Sequence, residues 1–216
     1  MDSAPLNIIV SGVGGQGTVL AGKLLSHCAL AGGAFVRSAE TIGMAQRGGS
    51  VLGHVRICEA AVACNRRPTS PLVPKGQAQL LIGFEPAETL RAYSYCDADC
   101  VVVSAIEPLL PPTASLQKLN YDGSKQLAAL EKERGKGLIS KLVLVDNQAV
   151  MTTLGFEKAL NVVLLGAALA ALKSSKYTTP LLNYGAMQEV IKQTVKPRFV
   201  EPNLLALETG YQLSCT

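Results

Sequence analysis

The residues best suited to holding a ligand or a partner's backbone are the glycines near the start of the chain. Asn7-Ile8-Ile9-Val10-Ser11 is an apolar strand that runs into Gly12-Val13-Gly14-Gly15-Gln16-Gly17-Thr18. A turn this rich in glycine reaches φ > 0 and lets neighbouring atoms come close. A helix opening at Thr18 aims its free N–H groups at the same point, which suits a phosphate, a carboxylate or a closely packed backbone. Gly12, Gly14 and Gly17 satisfy the G-x-G-x-x-G spacing, and Glu40 stands near the end of a second short strand, where a dinucleotide site places its ribose-binding acid. Two details weigh against that ligand: Glu40 comes late and is followed by a second glycine-rich segment, and Gly15-Gln16 tighten the turn more than a dinucleotide requires. A ligand-free strand-to-helix crossover stays open beside it.

The second segment, Gln46-Arg47-Gly48-Gly49-Ser50, puts a guanidinium and unhindered amides on one loop. That chemistry suits a carboxylate, a phosphate or a partner's carbonyls; bracing its own loop is the plainer role for Arg47. Other candidates are weaker. His54 alternates with apolar residues and reads as solvated or interfacial rather than as a general base, and His27, beside Cys28, reads as a satisfied structural histidine. Cys96 and Cys100 read as small hydrophobes at the start of a strand, and Asp146 as the cap of the turn after the last strand. The six cysteines contain no C-x-x-C pair and there are two histidines, so zinc or iron–sulfur ligation within this chain is not expected.

The elements that must position these residues follow from periodicity. Val19, Leu20, Leu24, Leu25, Cys28 and Ala31 recur at helical spacing before Gly32-Gly33. Phe35–Ser38 reads as a short strand. Val51–Ile57 alternates, with His54 and Arg56 on the outer face of a half-exposed strand near the sheet edge, possible as an antiparallel one. Residues 59–76, with three prolines, read as a loop. Gln79–Phe84 and Cys100–Ser104 are apolar runs of buried parallel strands, and Lys141–Asp146 reads as the last strand. A helix starts at Glu85-Pro86, and another, exposed, covers Ser124–Arg134. Beyond Asp146 only helices remain: Val162–Leu172 capped by Asn161, Asn183–Val195, and Pro202–Tyr211. The expectation is an α/β fold over residues 1–216 as a single domain. Its mostly parallel, Rossmann-like sheet has helices on both faces in three layers, with a helical C-terminal end.

Composition sets outer limits. With 48% apolar and 17% charged residues the chain reads as globular. No apolar segment follows Met1-Asp2-Ser3, and the longest apolar run, Val162–Leu172, has 11 residues, short of the roughly 20 that cross a bilayer. A cytoplasmic protein with reduced thiols and neither a membrane nor a nucleic-acid partner is expected. The +4 net charge is concentrated: residues 1–75 hold Lys23, Arg37, Arg47, Arg56, Arg66, Arg67 and Lys75 against Asp2, Glu40 and Glu59, and the remainder balances. Such a concentration attracts an anionic ligand or an acidic protein face.

Several motifs in order carry a family likeness. Gly12-Val13-Gly14-Gly15-Gln16-Gly17 comes first, then Ala39-Glu40-Thr41-Ile42-Gly43-Met44-Ala45-Gln46-Arg47-Gly48-Gly49-Ser50 with Val55-Arg56. Ser70-Pro71-Leu72-Val73-Pro74-Lys75-Gly76 and Gly83-Phe84-Glu85-Pro86 follow. Together they resemble the gamma-type domain of 2-oxoacid:ferredoxin oxidoreductases, most nearly the beta subunit of the indolepyruvate type. The resemblance implies one subunit of an enzyme that decarboxylates an aryl 2-oxoacid, joins the acyl group to coenzyme A and passes two electrons to ferredoxin. It also implies that thiamine diphosphate and the iron–sulfur clusters belong to a larger partner subunit, with no cofactor bound by this chain alone. On this reading Gly12, Gly14, Gly15, Gln16, Gly17 and Thr18, with Gln46, Arg47, Gly48, Gly49 and Ser50, face the large subunit near its thiamine site. No catalytic residue is assigned to the chain, and self-association when it is produced alone is allowed. A nicotinamide-dependent dehydrogenase, with Glu40 on the ribose, and a non-catalytic nucleotide-sensing or scaffold module are the alternatives.

Overall fold

A computed structural model describes residues 4–43, 48–59, 67–109, 121–155 and 159–214. Its sheet has six strands, β1 (Leu6–Val13), β2 (Ala34–Ile42), β3 (Ser50–Glu59), β4 (Ala78–Gly83), β5 (Cys96–Ala105) and β6 (Ile139–Val145), in the order β2-β3-β1-β4-β5-β6. The pairings of β1, β4, β5 and β6 are parallel, whereas β3 is antiparallel to both β1 and β2. The seven helices among the described residues are α1 (Thr18–Ala31), α2 (Pro86–Ala92), α3 (Ser124–Gly135), α4 (Asn147–Leu154), α5 (Leu160–Lys173), α6 (Tyr184–Thr194) and α7 (Val200–Leu213). The α/β fold with a mostly parallel sheet and a helical end is therefore as read from the sequence.

Side chains alternate across each strand, and two cores result. Ile8, Val10, Val55, Ile57, Leu80, Val101 and Val103 meet α1 and α5 on one face, while Ile9, Leu81 and Val102 meet Val73 and Leu130 on the other. This is why the strand runs read as continuously apolar.

Several boundaries and environments differ from the sequence reading. β2 continues through Glu40 to Ile42, and β3 starts at Ser50. β3 is second from the edge rather than half-exposed: His54 is 3% exposed and Arg56 half-buried, because residues 70–73 fold over the face that alternation assigned to solvent. His27 is exposed, on the outer stripe of α1, not a satisfied core histidine. Asn161 is not the cap of α5, which begins one residue earlier; its Oδ1 accepts from Val162 N at 3.0 Å. Asp146 does cap, accepting from Ala149 N at 2.8 Å, and Asn183, read as the first residue of its helix, is the N-cap of α6, accepting from Ala186 N at 2.9 Å. Cys28, Cys58 and Cys100 are buried thiols and Cys96 is half-buried, all four unpaired.

α5 is apolar all round because α7 of the same chain covers the side that the sheet leaves open, so another subunit is not needed for its burial. The two helices cross so closely that a Cβ on Gly166 would meet the Leu207 carbonyl oxygen, and one on Gly210 the Val163 carbonyl oxygen. No helix among the described residues is long and apolar enough to cross a membrane.

Candidate functional site

The glycine turn sits where β1 ends and α1 begins, next to the C-terminal end of β4. Gly17 takes φ 88° and precedes α1 without a side-chain cap, and Gly15 takes φ 103°. Both lie in the left-handed region that glycine occupies at no steric cost. A Cβ on Gly12 would stand 2.8 Å from Phe84 Cβ, 2.8 Å from Thr18 Cγ2 and 2.9 Å from Gln16 Oε1, so close packing rather than backbone angle requires glycine there. Thr18 is buried beneath the turn.

Gln16 occupies the interior of the turn. Its Oε1 accepts from Val13 N at 2.7 Å and its Nε2 donates to Phe84 O at 3.0 Å. A donor that an anion in the turn would use is thus already satisfied by the chain, and the same side chain ties the end of β1 to the residue after β4. Around Gly15 the space is open, with nothing within 4 Å of a Cβ built on it.

The second glycine segment reaches this turn. Gly14 N donates to Gly49 O at 2.8 Å, and Gly48 has φ 75°. Gln46 and Arg47 lie outside the described residues. Ser50 extends the connection, donating its hydroxyl to Glu88 Oε2 at 2.6 Å, while Arg91 donates to Glu88 Oε1 at 2.6 Å. Glu88 N in turn donates to Glu85 Oε2 at 2.9 Å, making Glu85 the N-cap of α2 with Pro86 behind it. Tyr121 donates its hydroxyl to Glu85 Oε1 and accepts from Ala87 N at 3.0 Å. Burial and the Glu85 carboxylate push the Tyr121 phenol above its ordinary range, so it stays protonated and donating near neutrality. Of the predicted site residues, the structure joins the glycine turn to Gly48, Gly49 and Ser50 through direct bonds.

Sequence reasoning missed Glu88, Tyr121 and Asn161 as parts of this arrangement. Glu85-Pro86-Ala87-Glu88 carries a legible signal, an acid three residues into a helix after a capping residue. Tyr121 lies 36 positions from Glu85 and has no local signature. Asn161 Nδ2 lies 3.0 Å from a Cβ built on Gly17, a proximity set by how α5 packs on α1.

Glu40 does not stand beside the turn. β3 intervenes, so the register runs Glu40, Gly53, Val10 across three strands, about 10 Å at roughly 4.8 Å per strand. In the dinucleotide arrangement the second strand is β1's own neighbour; here an antiparallel strand takes that place. His54 is no general base: its Nδ1 accepts from Val73 N at 3.2 Å, with its ring edge against Tyr95. Burial pulls its pKa below the ordinary value, keeping it neutral. Arg56 donates to Ser70 O and Leu72 O at 3.1 and 3.4 Å, so two β3 side chains pin the Ser70–Gly76 motif over the sheet. Among the described residues no group of three His, Cys, Asp or Glu could hold a metal ion.

Exposed apolar side chains surround the same end of the sheet: Val19, at the first turn of α1, is 46% exposed and Ile42, at the end of β2, 66%.

Comparison with known proteins agrees with this layout. Residues 7–213 match the family model described as pyruvate ferredoxin/flavodoxin oxidoreductase. The chain is 33% identical over 206 residues to the indolepyruvate oxidoreductase subunit IorB of Archaeoglobus fulgidus, covering 95% of this chain and 94% of that one. It is 32% identical to the IorB subunit of Pyrococcus horikoshii, covering 94% and 93%. Among solved structures, the gamma subunit of a keto/oxoacid ferredoxin oxidoreductase from Geobacter sulfurreducens superposes with a TM-score of 0.65 at 19% identity, over 97% of this chain and 98% of that one. The 2-oxoglutarate:ferredoxin oxidoreductase of Magnetococcus marinus gives 0.65 at 15% identity, with 99% of this chain corresponding to 31% of that larger one.

Proposed function

We propose, from the premise that this chain belongs to the pyruvate ferredoxin/flavodoxin oxidoreductase family, that it is the non-thiamine subunit of an indolepyruvate-type 2-oxoacid:ferredoxin oxidoreductase. The complete enzyme decarboxylates an aryl 2-oxoacid, transfers the acyl group to coenzyme A and passes two electrons to ferredoxin. Thiamine diphosphate and the iron–sulfur clusters sit in the larger partner, where the thiamine supplies the carbanion chemistry. This chain supplies a shaped surface. Its glycine turn and the Gly48–Ser50 segment form one rigid ledge, closed from behind by Gln16 and braced through Glu88 and Glu85, with room for a neighbour's backbone at Gly15.

The observation that carries this reading is the Gly14–Gly49 bond, which fuses the two glycine segments while Val19 and Ile42 are left exposed beside them. A self-filled turn rimmed by apolar side chains fits a protein partner better than a nucleotide. Arg47, which directly precedes Gly48 in the sequence, is proposed to contribute its guanidinium to the contact with the partner. The test is association with the large subunit: Ile42→Asp and Arg47→Ala are each expected to weaken it at least tenfold while leaving the unfolding free energy of the isolated chain in urea within about 0.5 kcal/mol of wild type, as for surface substitutions. Unchanged association and turnover in both variants would refute the placement.

A further inference from the structure

We propose that Cys96 and Cys100, at the start of β5, are a redox-modification site that closes into a reversible disulfide by exchange with low-molecular-weight disulfides. The pair lies at the end of the sheet opposite the glycine turn, and it is independent of the function proposed above.

Residues four apart on a regular strand stand about 13 Å apart at 3.3 Å per residue, about twice the Cα separation that a disulfide spans. β5 is not regular there. Ala78 pairs with Cys96 and Leu80 with Val101, so a stretch of β5 that would extend about 16 Å lies beside about 7 Å of β4. Residues 97–100 therefore bow out of the ladder. Asp99 takes φ 72°, the one non-glycine residue in the left-handed region among those described. Such a conformation persists where its surroundings hold it, and several neighbours do so. Ser140 donates its hydroxyl to Asp99 O at 2.5 Å and Lys176 donates to Asp99 Oδ2 at 2.6 Å. Gln79 and Tyr177 donate to Asp97 Oδ2 at 2.9 and 3.1 Å.

The bow brings the two thiols together on one side of the sheet. Cys100 is fully buried in the core of Ile9, Leu81 and Leu130, Cys96 packs half-buried against that core, and the two side chains hydrogen-bond to each other. Groups held this close react as one molecule rather than two, which favours ring closure. Their exposures divide the work. Cys96 is the sulfur that solvent reaches, and Cys100 has only to reach Cys96. Burial, with the Cys96 thiol beside it, holds the Cys100 thiol well above its ordinary range, so Cys96 is the one that meets the incoming disulfide.

The exchange balances in two displacements. The Cys96 thiolate attacks one sulfur of the small disulfide, whose S–S bond breaks and releases a thiolate. Cys100 then gives up its proton and attacks Cys96 Sγ, forming the Cys96–Cys100 bond and releasing the second thiolate. The protein is oxidised by two electrons, and the small disulfide is reduced to two thiols that carry away the two protons.

Oxidised glutathione added to the reduced full chain is the probe, read by mass spectrometry of the tryptic peptide 92–118, which holds both residues and no other cysteine. The peptide is expected to lose the mass of two hydrogens, to resist alkylation in denaturant and to recover both thiols with dithiothreitol. Cys100→Ala is expected to trap glutathione on Cys96, whereas in Cys96→Ala, shown to be folded by circular dichroism, the buried Cys100 takes it up at least about tenfold more slowly. The proposal is overturned if the wild-type peptide keeps both thiols in oxidised glutathione alone, or if it holds glutathione without closing. It is equally overturned if either residue links to another cysteine or another chain, or if both single variants take up glutathione at the same rate.

Discussion

Gln16 and His54 are polar side chains whose described hydrogen bonds satisfy the backbone of their own chain. Gln16 closes the glycine turn on itself, so Gln16→Ala leaves Val13 N–H without its acceptor and is expected to cost about 1–3 kcal/mol in urea unfolding. His54 accepts from Val73 N only when its Nδ1 is unprotonated. Its folded pKa lies below the ordinary value, whereas in the unfolded chain it titrates near 6.5. The unfolded state therefore binds the proton first as pH falls. Its contribution to stability is complete above about pH 6.5 and is lost as pH drops from there through the lower folded value. Unfolding free energies of wild type measured at pH 8 and pH 5.5 should show this loss, and in His54→Asn, which offers an amide oxygen for the same bond, the His54 part of the slope should vanish. Alternation could not reveal the buried state of His54, because the cover comes from residues 70–73, which carry no regular pattern.

At the scale of elements, the sequence was most informative where a strand is buried on both faces or a cap is local. The apolar runs of β4 and β5, the Glu85-Pro86 helix start and the Asp146 cap were all legible for that reason. Strand order was not. The insertion of β3 between β1 and β2 depends on long-range pairing, and it alone separates Glu40 from the turn and removes the dinucleotide geometry that G-x-G-x-x-G suggests. The cover over α5 was likewise hidden, since an all-apolar helix says that both sides are buried but not by what. Gly166 and Gly210 supply the answer through the closeness of the α5–α7 crossing. Gly166→Ala would press a methyl group into the Leu207 carbonyl, so it is expected to destabilise the chain by about 3 kcal/mol or more, at or beyond the upper end of ordinary overpacking. Equilibrium unfolding in urea checks this, and a cost below about 1 kcal/mol would mean that the helices can separate freely.

For the whole molecule, the two glycine segments and the buried Gly83-Phe84-Glu85-Pro86 motif are bonded into one arrangement, although 71 positions separate Gly12 from Gly83. The motifs marked its parts, while its joints, Gly14 to Gly49, Ser50 to Glu88 and Tyr121 to Glu85, came from the fold. The most direct measurement is to produce the chain together with a large subunit bearing thiamine and cluster motifs, purify through a tag on this chain, and assay ferredoxin reduction with indolepyruvate and coenzyme A. A brown complex that reduces ferredoxin, and loses this activity when the chain is omitted, is expected. A chain that purifies alone, or a large subunit that is fully active without it, would overturn the proposed role.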